Sequence, residues 1–282
     1  MKKEYLNDLR KYLAENNVPN IDKIMEKYER RYEFGLEADL SEEEIEKMLG
    51  TKEEIFEKYR VPEKETTEFK EEVLNYKKNY NLIINAVSDD IVIDYFNEDK
   101  IKVFLEDIDP ELYKVNIDNE NGVLVDYAKL KFFGLNRKKP GKILIKLPEG
   151  KVFDKIKINT ASGDILTKGI ESNTCYLTTA SGDYEIGSII CNSLEINTVS
   201  GDFEIDKIKA QDANINSVSG DLDIMFFESF DARIDSVSGD IEVKNSKIKN
   251  LKTNSISGDI IINNEEYKNF GKKVKGVFKN EI

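Results

Sequence analysis

The sequence predicts a mainly β chain: a single-chain β-solenoid of 19-residue coils, parallel β-helix-like, preceded by a small all-α helical domain. Three observations predict it. The tripeptide Ser-Gly-Asp begins at Ser162, Ser181, Ser200, Ser219, Ser238 and Ser257, at a constant interval of 19 residues. Around each copy, apolar residues alternate with a period of two and then change phase. The first sixty residues instead carry apolar residues at helical spacing, with two capping-box patterns.

The 282 residues are 39% apolar and 34% charged, with a mean hydropathy of -0.52, which suits a globular chain of one large or two modest domains. A net charge of -13 is a poor match to a phosphate backbone, so no nucleic-acid partner is expected. Histidine is absent. That removes Ser-His and Cys-His nucleophile pairs, His-ligated zinc and imidazole acid-base chemistry together. Two cysteines, Cys175 and Cys191, are too few for a disulfide scaffold and are read as free thiols in a reducing compartment. The opening MKKEYLNDLRKYL carries Asp8 and Arg10 where an export signal needs an apolar run, and no window approaches ~18 apolar residues. The expectation is a cytoplasmic chain without a membrane span, with peripheral association with the cell envelope as the other location considered.

The helical domain is placed at residues 1–62. Leu6, Leu9, Tyr12 and Leu13 form one stripe; Ile21, Ile24, Met25, Tyr28 and Tyr32 form a second, with Pro19 ahead of it. Tyr28, Tyr32 and Phe34 are read as its core. Ser41 with Glu44, and Thr51 with Glu54, open two short helices, and Gly50 stands between them as a C-terminal cap. Val61-Pro62 ends the unit. Its 12 basic against 16 acidic side chains disfavour a DNA-reading domain. So short a segment makes a marginal core and should lean on the rest of the chain or on a partner. MKKEYLNDLRKYL, the tyrosine-rich second helix and the LSEEEIEKMLGTKEEIFEKYR run resemble the HAAS signalling domain of bacterial membrane and sensor-like proteins. That resemblance implies coupling to a protein partner such as a transcription regulator or an envelope component.

A linker is read at 63–74 and the solenoid at 75–282, with regular repeats at about 154–264 and a C-terminal cap at 265–282. Counted from the serine of each copy, the apolar offsets are -6, -4, -1, +3 and +5. Gaps of 2 are strand alternation; the intervening gaps of 3 and 4 require a bend. The bend is placed at Ser-Gly-Asp, with Gly163, Gly182, Gly201, Gly220, Gly239 and Gly258 taking φ > 0. Equal coils then stack in parallel, and about nine or ten are expected along the chain. A meander of antiparallel hairpins is the disfavoured alternative. Hydroxyls at offset -2 and amides or hydroxyls at -3 are expected to hydrogen-bond along the axis as ladders. Residues 70–151 are read as irregular first coils of the same winding, with Asn85-Ala86-Val87-Ser88-Asp89-Asp90 echoing the repeat without its glycine. Tyr267–Ile282 is expected to cover the open C-terminal edge.

The Thr-x-Ser-Gly-Asp units, led by Thr160–Asp164 and preceded by Leu147-Pro148, resemble the bacterial putative adhesin family of unknown function. The resemblance covers roughly residues 75–282 and implies the solenoid fold with a role at the envelope or in signalling.

Alternation places offsets +2 and +4 outside. Together with Asp164 and Asp259, this makes a wall containing Asp183, Glu185, Asp202, Glu204, Asp221, Asp223, Asp240 and Glu242. The favoured reading is structural, each aspartate bonding backbone at its own corner. A second is recognition of a basic partner or weak binding of a divalent cation, since neighbouring carboxylates repel. The Gly-Gly-x-Gly-x-Asp spacing of calcium solenoids is missing. A third is carbohydrate binding or polysaccharide cleavage, because carboxylates ~5 Å apart suit a retaining glycosidase; every adjacent pair has that spacing, so no site stands out. No catalytic residue, dedicated metal site or cofactor is predicted. Phe227 is read as interior, with an exposed contact at Phe226 as the lesser alternative. The sequence reading is thus a non-catalytic adhesin-like scaffold, with a solenoid surface for protein or envelope interaction and a helical coupling module.

Overall fold

The computed structural model describes residues 2–16, 18, 21–59, 69–75, 79–118, 121–128, 140–263, 265–266 and 273–278. The chain divides into two compact units, residues 1–65 and 66–282.

The first unit contains four helices: α1 (Lys2–Glu15), α2 (Ile21–Glu37), α3 (Glu42–Leu49) and α4 (Lys52–Tyr59). Both capping boxes form. The Ser41 N–H donates to Glu44 Oε2 at 2.9 Å and the Glu44 N–H to Ser41 Oγ at 3.3 Å; Thr51 and Glu54 repeat the exchange at 2.8 and 3.3 Å. Gly50 ends α3 with φ 89°, the left-handed side that a C-cap glycine supplies. Leu9, Leu13, Met25, Tyr32 and Ile45 are buried at the centre, and Phe34 is half-buried at its margin. A Cβ on Gly35 would lie 2.6 Å from Ile45 Cγ1, so that glycine is what lets α2 and α3 approach. Pro19 and Val61-Pro62 lie outside the described residues.

The second unit is a β-solenoid. Its strands are β1 (Phe69–Asn75), β2 (Asn81–Asn85), β3 (Asp90–Phe96), β4 (Lys100–Glu106), β5 (Tyr113–Asp118), β6 (Gly122–Tyr127), β7 (Lys142–Pro148), β8 (Phe153–Thr160) and β9 (Ile165–Thr167). They continue as β10 (Ile170–Thr179), β11 (Tyr184–Thr198), β12 (Phe203–Ser217), β13 (Leu222–Ser236), β14 (Ile241–Ser255), β15 (Ile260–Ile262), β16 (Glu265–Glu266) and β17 (Lys273–Phe278). From β8 to β15 every pairing between successive turns is parallel, in the 19-residue register: Leu194 faces Ala213, Ala213 faces Ala232, and Ala232 faces Leu251. An antiparallel meander is thereby excluded for the repeats. Offsets -6, -4, +3, +5 and +8 fill the interior, where Tyr184 and Phe203 pack with ring centroids 4.2 Å apart.

At the corner the structure corrects the sequence reading twice. Offset -1, read as interior, is outside: Ala161, Ala180, Val199, Val218, Val237 and Ile256 are all exposed. The hydroxyls at -2 are inside. The cause is the backbone. A bend exposes peptide groups to the interior that no strand can pair, and the hydroxyl satisfies them. The Gly163 and Gly182 N–H groups donate to Thr160 and Thr179 Oγ1 at 2.9 and 2.8 Å, while the Ser217 and Ser236 hydroxyls donate to the Gly220 and Gly239 carbonyls. Polarity is therefore inverted at the corner, hydroxyl in and aliphatic out.

The second correction concerns the glycines. Positive φ among the described glycines occurs at Gly50, Gly122 and Gly150, and at none of the six corners. Corner glycine is required by close approach: a Cβ on Gly182, Gly201, Gly220, Gly239 or Gly258 would sit 2.0–2.1 Å from the carbonyl oxygen of the preceding corner glycine. The turns stack glycine on glycine. In the degenerate copy, Asp89 takes this place between Gly141 and Gly163. Its buried carboxylate is tolerated because it accepts the Gly141 N–H at 2.7 Å and the Tyr113 hydroxyl at 2.8 Å.

Strands β1 to β7 do not wind in sequence order. The β2–β3 layer lies between β6–β7 on one side and β8–β9 on the other, all parallel, so the chain passes over it before the repeats begin. Strands β4 and β5 pair antiparallel with β7 and β6, and β1 pairs antiparallel with β4. The expectation of nine or ten sequential coils is therefore corrected to six regular turns plus these two irregular layers, because the remaining strands run antiparallel. Strand β1 also occupies part of the stretch read as a linker, 63–74, since it pairs along the β4 edge. At the other end β17 pairs antiparallel with β14, and β16 with β15. An antiparallel strand ends the parallel register, which blocks continued stacking. Within the cap, Tyr267–Lys272 and Lys279–Ile282 lie outside the described residues.

Phe227 is interior, as read. Phe226 is buried too, which removes the exposed-contact alternative, as are Met225 and the whole 224–227 run.

Candidate functional site

The repeat corner carries three parallel lanes of identical chemistry. The first is the serine that opens each copy, exposed in every turn. Ser181, Ser200, Ser219, Ser238 and Ser257 each donate Oγ–H to the offset -1 carbonyl of the turn before, at 2.9–3.2 Å, and Ser162 reaches the Val87 carbonyl at 3.4 Å. These serines, with the glycines behind them, are structural.

The second lane is the aspartate at +2. Asp164, Asp183, Asp202, Asp221 and Asp240 are exposed and Asp259 is half-buried. Each backbone N–H donates to Oδ1 of the aspartate one turn earlier: Asp183 to Asp164 at 3.0 Å, Asp202 to Asp183 at 3.0 Å, then Asp221, Asp240 and Asp259 at 2.8 Å. The Asp164 N–H donates to Asp90 at 3.2 Å, and burial is the main cause that pushes the Asp90 carboxyl up from its usual value. The carboxylates thus bond backbone, as expected, but on the following turn and not at their own corner. A charged acceptor strengthens each such bond. At +4, Glu185, Glu204 and Asp223 are half-buried and Glu242 is exposed, with Lys244 Nζ 3.1 Å from Asp223 Oδ2. All eight residues of the expected acidic face stand on the same side, and no turn departs from the others in a way that would single out a reacting pair. Among the described residues, no group of three or more cysteine, aspartate or glutamate side chains could hold a metal ion.

The third lane went unrecognised as surface in the sequence. Val87, Ala161, Ala180, Val199, Val218, Val237 and Ile256 form an exposed aliphatic ridge, with the valines and Ile256 40–72% accessible. Hydrogen bonds from Ser162 N–H to the Val87 carbonyl, and on through each turn, hold the seven in file. At ~4.8 Å per turn the ridge is about 29 Å long. Its apolar character was visible in the sequence; its direction was not.

A second feature is an open groove of about 320 Å³ on the outer face between β11 and β14. Its lining includes Leu194, Ala213, Ala232 and Leu251, whose side chains belong to the buried -6 column. Asp212, Asn214, Asp231, Arg233 and Lys252 mix both signs of charge around it. Phe230 stands exposed nearby, with Lys249 Nζ 4.2 Å from its ring centroid.

The amide column at -3 forms a ladder only in places. Asn216 donates to Asn197 at 2.9 Å and Asn159 to Asn85 at 2.7 Å, while Asn197 turns to Glu195 at 2.8 Å. Both cysteines are free and buried. Burial pushes the Cys191 thiol up to about 12 and raises Cys175 well above its usual value. Neither is a nucleophile at neutral pH.

No helix among the described residues is long and apolar enough to cross a membrane. No curated protein matches the chain. The chain is similar in structure to a putative cell adhesion protein from Clostridium sporogenes, at 15% identity over 62% of this chain and 99% of that one, with a TM-score of 0.41. It is also similar to a putative lipid binding protein from Parabacteroides distasonis, at 16% identity over 68% and 81%, TM-score 0.49. A putative adhesin from Bacteroides fragilis gives 20% identity over 68% and 96%, TM-score 0.42. The model of the Toastrack DUF4097 proteins matches residues 79–276, the greater part of the chain and nearly all of its solenoid, and the chain belongs to that family.

Proposed function

We propose that this protein is a non-catalytic, adhesin-like scaffold whose solenoid presents a binding surface to a protein or envelope component. The helical unit, by its resemblance to the HAAS domain, serves as the coupling element to a protein partner such as a transcription regulator. One observation carries the reading: the +2 aspartate recurs in all six copies, and Oδ1 of the first five accepts the backbone N–H of the aspartate one turn later. Catalysis needs one site distinguished from its neighbours, and a lane of equivalent positions supplies none. The acidic lane attracts divalent cations only weakly, as counter-ions to closely spaced charge. The proposed location is the cytoplasm, with peripheral association with the cell envelope as the alternative.

Carbohydrate binding is the second reading, favoured by the groove over Ala213 and Ala232 with its polar walls and Phe230 close by. Incubation with a panel of bacterial polysaccharides tests the scaffold. No new reducing ends are expected; turnover that disappears in Asp202→Asn would overturn it. Capture of a partner by the full-length chain, lost on Ile45→Asp in the helical core, tests the coupling role.

A further inference from the structure

We infer that the corner ridge is a docking surface for a cationic amphipathic helix of a partner protein, lying along the solenoid axis. This deepens the proposed scaffold reading and rests on it. Two independent observations meet at the same place. Val199, Val218, Val237 and Ile256 are exposed in single file, the most accessible of them 72% exposed. Three residues further along each turn, Asp202, Asp221 and Asp240 keep exposed carboxylates in a second file. An apolar lane beside an acidic lane is complementary to an apolar stripe flanked by Lys or Arg.

Spacing selects a helix. Rungs recur every ~4.8 Å, and a helix returns to the same face every ~5.4 Å. From Val199 to Ile256 the two drift apart by about 2 Å, which side-chain rotation absorbs. Same-face residues of an extended strand recur every ~6.8 Å and would slip by more than one rung over that distance. Charge removes the other occupants. The chain's net charge of -13 opposes pairing two such faces, and anionic lipid headgroups would meet the carboxylate file.

The probe is a fluorescein-labelled 18-residue peptide with Leu at each i, i+3/i+4 position, Lys along one flank and Gln elsewhere, titrated into the full-length protein. Two controls accompany it: the same composition reordered to a period of two, and Glu in place of Lys. Salt-sensitive binding is expected for the helical peptide alone. The triple variant Val199→Ser, Val218→Ser, Val237→Ser should weaken it by about tenfold or more. Asp183→Asn, Asp202→Asn, Asp221→Asn retains the Oδ1 acceptors while removing charge, and should abolish the salt dependence. Melting temperatures close to the parent show that either variant is folded. Equal binding of the reordered peptide, or undiminished binding to the serine variant, overturns the inference; so does no binding at all. Two further arms use the protein with phosphatidylglycerol vesicles and by itself on gel filtration. Vesicle binding, or a dimer, that the serine variant abolishes assigns the ridge to a membrane or to a second copy and likewise overturns it. Polysaccharide turnover would sink the scaffold reading instead, so the two failures are distinguishable.

Discussion

The backbone N–H of Asp221 donates to Oδ1 of Asp202 at 2.8 Å, across one turn of the solenoid. That bond explains why the third residue of each Ser-Gly-Asp unit is aspartate. The side chain links consecutive corners along the axis, where sheet hydrogen bonds are interrupted by the bend. Substituting Asp202→Ala leaves the Asp221 donor to water and should cost about 1 kcal/mol, whereas Asp202→Asn keeps an amide oxygen in place and should cost about half as much. Urea titration of the two variants measures the difference. Equal losses would mean that the carboxylate charge, and not the acceptor, is what the corner needs.

The corner glycines yield to a sharper comparison. A Cβ on Gly220 would sit 2.1 Å from the Gly201 carbonyl oxygen, while Gly150 has φ 65° and nothing within 4 Å of the same position. One site is crowded, the other merely strained. Gly150→Ala should cost about 1 kcal/mol, and Gly150→Asn less, because asparagine tolerates the left-handed region. Gly220→Ala must push two turns apart and should cost about 2 kcal/mol or more, with no relief from Gly220→Asn. Thermal melts of the four variants check the ranking. A tolerated Gly220→Asn would restore the positive-φ explanation.

The buried thiols make stability pH-dependent on the alkaline side. Cys191 is held neutral by burial, its value moved from 9.0 to about 12, and burial raises Cys175 in the same direction. In the unfolded chain both ionise near their ordinary value. Because the folded values are raised, the contribution to stability is fully present below pH 9 and is lost progressively as pH rises toward 12. Iodoacetamide at pH 8 should label neither cysteine in the folded protein within the time that labels both in urea. The double variant Cys175→Ala, Cys191→Ala should flatten the alkaline part of the stability profile. An unchanged slope would place its cause in other groups, such as the buried tyrosines.

The helical unit offers an independent check on its capping. Thr51 and Glu54 exchange two hydrogen bonds at the start of α4, satisfying donors that an eight-residue helix cannot pair internally. Thr51→Ala should cost about 1 kcal/mol and Thr51→Ser almost nothing. The loss should appear in helix unfolding followed at 222 nm and leave the solenoid transition in place. A shift of both transitions together would show that the two units unfold as one.

How much of this was legible beforehand depends on which force set each feature. The 19-residue interval and the inward columns at -6, -4, +3 and +5 were readable because burial of Ile196, Ile215 or Phe203 follows the strand period directly. Corner polarity was not. Thr198 and Val199 look alike to a hydropathy pattern, and their order is set by unpaired peptide groups at a bend whose geometry sequence does not display. The insertion of β2–β3 between β6–β7 and β8–β9 was equally hidden, since Leu82 pairs with Val123 and Ile156 at separations no local pattern encodes. Within the candidate surface, the acidic residues were found from alternation, whereas the aliphatic ridge was mistaken for core. The groove lined by Asp212, Asp231, Arg233 and Lys252 depends on how exposed side chains of successive turns stand beside one another, which alternation within one turn does not show.

The inverted corner gives the most direct test of the architecture, because two neighbouring aliphatic columns should respond oppositely. Ile215 is fully buried at offset -4, and Val218, three residues on, is 44% accessible at -1. Truncating Ile215 to alanine removes interior contacts between turns and should cost about 2–5 kcal/mol, since stacked rungs leave little room to collapse around a cavity. Val218→Ser removes no interior contact and should fall within about 0.5 kcal/mol of the parent. The hydroxyl neighbour sharpens the contrast: Ser217 donates to the Gly220 carbonyl inside the corner, so Ser217→Val, a change toward hydrophobicity, should destabilise by about 1–3 kcal/mol through an unpaired buried carbonyl. Denaturant titration of the three variants decides the matter. A stabilising Ser217→Val together with a damaging Val218→Ser would mean that the aliphatic lane faces inward, and the docking surface proposed for it would be lost with it.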